Sequence, residues 1–164
     1  MMIFDSHAHY DDEAFNDDRE EVINEINSSG VVGVLNCGSS LEAAKSSLEL
    51  SKQYEIFFAA VGIHPEYADK VDVNVIDELR KMAQHQKVRA IGEIGLDYYY
   101  EENPEREIQR NAFRKQMKLA EELNLPVIIH DRDAHEDTLN IIKEFPKVKG
   151  VIHCFSGSVE FARE

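Results

Sequence analysis

The stretch PEREIQRNAFRKQMKLAEELNLPVIIH, residues 104–130, decides the fold. Its first part reads as an amphipathic helix over 104–124, with Ile108, Ala112, Met117, Leu119, Ala120 and Leu123 roughly on one side. Pro104 suits a first helical turn, where a backbone N–H has no partner in any case, and Leu125-Pro126 ends the helix. Val127-Ile128-Ile129 then runs apolar without polar alternation, as a strand covered on both faces does. A helix feeding directly into such a strand is the repeating unit of a parallel sheet.

Outward from this unit the same alternation continues. Short apolar stretches begin near Ile3, Val31, Ile56, Val88, Pro126 and Gly150, and helix-like stretches occupy 18–28, 41–53, 73–85 and 134–144, with a further helix starting at 159–164. The expectation is an α/β chain of about six βα units, a single domain over 1–164 with no linker.

Composition narrows the class. Hydrophobic residues make up 43% and charged residues 30% of the 164, which is the balance of a globular domain. The longest apolar runs, such as Ile56–Val61, are far too short to span a membrane, and no basic region followed by an apolar one opens the chain. A cytoplasmic protein without membrane association is expected. Cys37 and Cys154 show no Cys-x-x-Cys spacing and read as two buried thiols in a reducing compartment. The formal charge of −14 repels polyanions over the general surface and counts against extensive duplex binding. It leaves room for a small nucleic-acid-end site where divalent cations and a few Arg or Lys reverse the sign locally. The acidic runs Asp11–Glu13 and Asp17–Glu21 read as solvated loop and first-turn carboxylates, or as one rim of a site after His9.

The chemistry collects at strand ends. The first strand ends with His7-Ala8-His9, the third with His64, the fifth with His130 and the sixth with His153, while the fourth carries Glu93. Period-two geometry places Asp5, His7 and His9 on one face. In parallel βα folds the carboxyl ends of the strands form the functional rim, so all these groups gather there. Singly, His130 or His153 reads as a hydrogen-bonded core histidine and Glu93 as half of an ion pair with Arg132 or a lysine. Together, His7, His9, His130 and His153 with the buried carboxylate of Glu93 point to a divalent-metal site, because cations offset the cost of burying ionised Glu93.

At this point the residues carry a resemblance. Phe4–His9, Gly62-Ile63-His64-Pro65, Gly92–Tyr98, Pro126–His130 continuing through Arg132-Asp133-Ala134, and His153–Gly157 resemble, in order and spacing, the successive signatures of the TatD family of metal-dependent deoxyribonucleases. The resemblance implies a TIM-type (β/α)8 barrel of the amidohydrolase kind with two divalent metal ions, drawn from Mg, Zn, Mn or Ni. On that pattern His7 and His9 hold one metal, His130 and His153 the other, and Glu93 bridges them. Glu93 and His64 are implied as catalytic, and His64, Asp97 and Arg132 as lining the substrate pocket. Arg132 suits a phosphate oxygen through its planar fork, or a salt bridge to Asp131 or Asp133. Tyr98, Tyr99 and Tyr100 follow the fourth strand, where an aromatic stacks on an unpaired base or anchors the loop. Cys154, next to His153, should face away from the metals.

The family pattern also carries a metal-binding Asp, the general acid or base, after a seventh strand. That Asp is expected beyond Glu164, as are strands seven and eight of a barrel usually about 250 residues long. The missing segment or a second copy is expected to pair with the open barrel edge. The implied function is metal-dependent hydrolysis of DNA phosphodiesters from a 3′ end, with single-stranded DNA or nucleic-acid 3′ ends as substrate. Two alternatives stand beside it: an ester or amide hydrolase such as a D-aminoacyl-tRNA deacylase, and an inactive fragment that only binds metal or a partner.

Overall fold

In the computed structural model, which describes residues 2–164, six strands lie parallel and in sequence order in one curled sheet. They are β1 (Ile3–Ala8), β2 (Val31–Cys37), β3 (Phe57–Val61), β4 (Val88–Asp97), β5 (Val127–Arg132) and β6 (Gly150–Ile152). The connections carry α1 (Arg19–Ser28), α2 (Leu41–Gln53), α3 (Val73–Met82), α4 (Arg106–Leu123) and α5 (His135–Glu144). The helix begun at 159–164 in the sequence reading is a single 3-10 turn, Phe161–Arg163.

Local signals set these boundaries. Ser40 caps α2 by accepting from Ala43 N–H, and Asp72 caps α3 by accepting from Val75 N–H. Asn124 ends α4 in the left-handed conformation at φ 53°, while Leu125 N–H bonds Ala120 C=O and Asn124 N–H bonds Glu121 C=O. That pairing satisfies carbonyls the helix end leaves open, with asparagine tolerating the positive φ.

The two faces of the sheet differ. One face buries Ala59, Val61, Ile91, Ile94, Leu96, Val127 and Ile129 against Leu48, Leu79, Phe113, Met117 and Ile141 of the helices. Each such fully buried aliphatic or aromatic side chain contributes roughly 1.5–3 kcal/mol. The other face holds a small cluster of strand residues alone, Leu35, Cys37, Ala60, Ala90 and Ile128. Its far end, toward the strand C-termini, carries the polar residues described below. β1 and β6 form the two edges, and Ile3 and Phe4 on β1, Val151 on β6 and Val32 at the start of the neighbouring β2 are exposed.

Two expectations change. Ile108 is exposed, because α4 turns Gln109, Ala112, Phe113, Gln116, Leu119 and Ala120 to the sheet. The buried stripe thus includes two glutamines at a two-turn spacing, which an apolar count passes over. Cys154 is exposed, because β6 ends at Ile152 and the chain turns through Cys154 at φ 44°. Cys37 is buried as expected, and burial, with Glu93 nearby, pushes its thiol well above the usual range. A thiol reagent should therefore label one cysteine of the native 164-residue chain, Cys154, and reach the second only on unfolding. Mass-shift counting reads this directly, and rapid double labelling under native conditions contradicts it.

Candidate metal centre

Position along parallel strands gathers the rim residues, but Glu93 needs something more. In β4 both Ile91 and Ile94 face the helices although they are three positions apart, and the β4–β5 register shifts between them. One extra residue is accommodated there, as in a bulge, which turns Glu93 toward the open face with Asp97. Both carboxylates are almost fully buried, at 3% and 2% exposure.

The two oxygens of Glu93 are divided between two sets of rings. Oε2 accepts from His7 Nε2 at 2.9 Å and lies 3.3 Å from His9 Nε2. Oε1 lies 2.5 Å from His153 Nε2, 3.0 Å from His130 Nδ1 and 3.9 Å from His64 Nε2. His130 Nε2 reaches Asp97 Oδ2 at 2.9 Å. The rings crowd one another, His7 on His153 in a stack with centroids 3.8 Å apart. Burial opposes ionisation of Glu93, but hydrogen bonds from His130, His153, His7 and His9 outweigh it and hold the carboxyl far below the usual range. The Glu93 hydrogen bond raises His9 against burial. His130 is raised too, burial being outweighed by Glu93 and Asp97. Burial and the neighbouring His130 lower His64 to about 4.

The donor set suits cations. His9 Nε2 faces His7 Nε2 at 3.2 Å and His153 Nε2 faces His130 Nδ1 at 3.4 Å, each pair beside one carboxylate oxygen. His153 Nδ1 is buried with no hydrogen-bond partner among the described residues. Ligand atoms from His7, Glu93 and His153, and from His64, Asp97 and His130, lie within 4.8 Å of one another in each group. An open cleft of about 390 Å³ gives access, with Asp11, Asp12, Ser39 and Glu66 on its walls. Asp11 and Asp12 thus form part of a rim after His9, and Asp12 also accepts from Ala14 N–H at the start of a 3-10 turn.

Residues the sequence reading passed over hold these groups. Asn36, fully buried on β2, accepts from Tyr10 N–H at 2.6 Å and donates to Asp11 Oδ1 at 2.6 Å and Ser47 Oγ at 2.8 Å. It fixes the chain immediately after His9, whose Nδ1 bonds Cys37 C=O at 2.8 Å and so aims Nε2 at Glu93. Gln116 pairs with both Ile63 N–H and C=O, and Gln109 with both Asp97 N–H and C=O, completing the backbone bonding where β3 and β4 run out. Their signal was present: an Asn inside the apolar run of β2, and glutamines on the inward stripe of α4. Asn36→Leu leaves Tyr10 N–H unpaired and should cost about 1–3 kcal/mol of stability. It should also weaken divalent-metal affinity by roughly 10- to 100-fold, as loss of an outer ligand support does. Titration calorimetry checks this, and unchanged affinity removes the positioning role.

Arg132 makes no ion pair with Asp131 or Asp133. Asp131 turns to α5, within 2.7 Å of His135 Nδ1, and Arg132 lies over Tyr99 instead. Of the three tyrosines, Tyr98 anchors the loop: its hydroxyl donates to Asp137 at 2.7 Å and Arg106 covers its ring.

The family described as TatD related DNase matches residues 4–164. The uncharacterized metal-dependent hydrolase YabD of Bacillus subtilis is 41% identical over 167 residues, covering 99% of this chain and 64% of that protein. The 3′-5′ ssDNA/RNA exonuclease TatD of Cronobacter sakazakii is 36% identical, covering 99% of this chain and 62% of its own length. Among solved structures, the TatD homologue YJJV of Escherichia coli superposes with a TM-score of 0.89 at 32% identity, over 98% of this chain and 63% of that one. The chain thus spans just under two thirds of the length of these relatives. With that superposition, the curled parallel sheet is part of a TIM-type α/β fold. With the family match running over nearly every residue, the chain belongs to the TatD related DNase family.

Proposed function

We propose that this chain forms the metal-binding part of a hydrolase that cleaves phosphodiester bonds of single-stranded nucleic acid from the 3′ end. The observation that carries the reading is the division of Glu93: one oxygen faces His7 and His9, the other His130 and His153. A carboxylate placed so can bridge two cations, with His7 and His9 on one side and His130 and His153 on the other. Relatives named 3′-5′ ssDNA/RNA exonuclease support the substrate class. Imidazole-rich ligation suits Zn, Mn or Ni better than Mg. Divalent cations, when bound, supply Lewis acidity toward a phosphoryl group.

The chain's own residues do the rest. Glu93, held ionised among the rings, keeps their nitrogens converged. Glu66 N–H donates to His64 Nδ1 at 3.2 Å, so the neutral ring carries its proton on Nε2, on the Glu93 side. From there His64 donates to a non-bridging phosphate oxygen. Asp97 fixes the ring of His130 from its far nitrogen. Arg132, at the rim, offers its fork to a neighbouring phosphate. With Mn²⁺ or Zn²⁺ present, the whole hydrolase that contains this metal-binding part should release mononucleotides from a 3′-labelled single-stranded oligonucleotide, and EDTA should abolish release. Metal-independent release, or none with any divalent ion, overturns the reading.

A further inference from the structure

Where β4 and β5 end, an exposed cationic–aromatic cluster stands beyond the candidate metal centre. Asp97 pairs in register with Arg132, and Tyr98 N–H closes the last rung on Arg132 C=O at 2.9 Å. Arg132 sits two residues past His130 on β5, so the two side chains share a face. The next step of the chain raises Tyr99 and Tyr100. The Arg132 guanidinium lies 4.0 Å from the Tyr99 ring centre and 4.9 Å from that of Tyr100, and donates to Tyr100 Oη at 3.2 Å. The two rings meet edge to face at 4.8 Å.

These tyrosines do no packing work that accounts for them. Tyr99 is 54% and Tyr100 45% exposed, while the loop is already tied down by Tyr98 through Asp137 and by Tyr99 N–H on Asp97 Oδ1. Among the described residues Arg132 has no carboxylate within ion-pair distance, a state it shares with Arg19, Arg89, Arg106 and Arg163, while Arg80, Arg110 and Arg114 are paired, in a chain of net charge −14. An arginine placed over a ring keeps further N–H groups for a phosphate, and an exposed ring offers a face to a base. Every nucleobase has such a face, so the contact requires unpaired bases without choosing among them.

We infer that Tyr99, Tyr100 and Arg132 form a stacking platform for a nucleobase of a single-stranded nucleic acid, one step along the strand from the phosphate at the metal centre. This rests on the nucleic-acid reading above and adds the element that discriminates a base-bearing strand from other anionic esters. It is an unpaired strand, because paired bases have no free face to lay on Tyr99.

The test is binding in EDTA, where no hydrolysis intervenes. Fluorescence anisotropy compares a labelled oligothymidylate with an abasic oligomer of equal length and charge. The wild-type chain should bind the thymidylate about tenfold more tightly, the scale of one base–aromatic stack. Tyr99→Ala/Tyr100→Ala should bring that preference close to one, and Tyr99→Phe/Tyr100→Phe should restore it, since both rings are kept. Equal binding of the two oligomers by the wild-type chain, or an undiminished preference in the double alanine variant, overturns the platform. Preference intact but no metal-dependent hydrolysis sustains the platform and sinks the hydrolase reading, so the two failures are told apart.

Discussion

Glu93→Gln should lower divalent-metal affinity by at least about 100-fold, beyond what loss of an outer support costs, and should remove metal-dependent hydrolysis with it. The carboxylate now accepts from, or lies against, nitrogens of His7, His9, His130 and His153. A carboxamide keeps the shape but has one acceptor oxygen, so it can serve one set of rings and turns an N–H₂ donor toward the other. It also removes the negative charge that would meet a cation bound in this pocket. The buried rings then compete for one acceptor, and any ring that stays protonated is an uncompensated charge in a largely enclosed site. Isothermal titration with Mn²⁺ or Zn²⁺, on a variant whose circular dichroism matches the wild type, reads the effect. Affinity within a few-fold of wild type would place the cations elsewhere.

Gly95→Ala should be the most damaging single-methyl change in β4. Gly95 has φ +140°, a conformation side chains rarely adopt, and a Cβ built there would lie 2.0 Å from His130 C=O and 3.0 Å from His130 N. Both contacts are backbone, so no rotamer change relieves them. Relief requires parting β4 from β5 at the rung where Gly95 pairs with His130. The positive φ costs about 1–3 kcal/mol and overpacking a further 1–3 kcal/mol or so. The sum is a large share of the roughly 5–15 kcal/mol stability of a domain. His130 moves with the rung, so metal affinity should fall as well. Urea unfolding measures the first effect and calorimetry the second. A stability change within about 0.5 kcal/mol, as for an ordinary surface substitution, contradicts the argument.

Much of the fold was legible because its signals are local. The buried run Val127-Ile128-Ile129, the amphipathic helix before it and the Pro at its end each report on a few neighbouring residues, and the boundaries of α4 and β5 fall within about two residues of those signals. The convergence of His7, His9, His64, His130 and His153 was legible for a different reason. Parallel strands joined by helices all run the same way, so their C-terminal residues share a rim whatever the details of packing.

The misses share a cause. Ile108 looked inward because apolar residues were counted as the inward stripe, whereas the sheet ends needed hydrogen-bonding groups and Gln109 and Gln116 took those positions. Cys154 looked buried because the strand was continued past Ile152. Arg132 left its partner open in the sequence, since a neighbouring Asp is always available on paper. In the fold Asp131 points to the opposite side and bonds α5, and two tyrosines occupy the space over the guanidinium.

The sequence by itself determined the order of strands and helices, the parallel sheet that follows from it, and the set of imidazoles at its carboxyl rim. All three depend on periodicities of two and 3.6 residues that the chain carries locally. Only the tertiary structure decided how Glu93 divides its oxygens, which nitrogens meet, and which polar groups are spent on support. A register shift between Ile91 and Ile94 sets the first, and contacts between residues far apart in the chain set the others. No period along the chain encodes them, because a hydrogen bond's partner is fixed by where two separate strands come to lie.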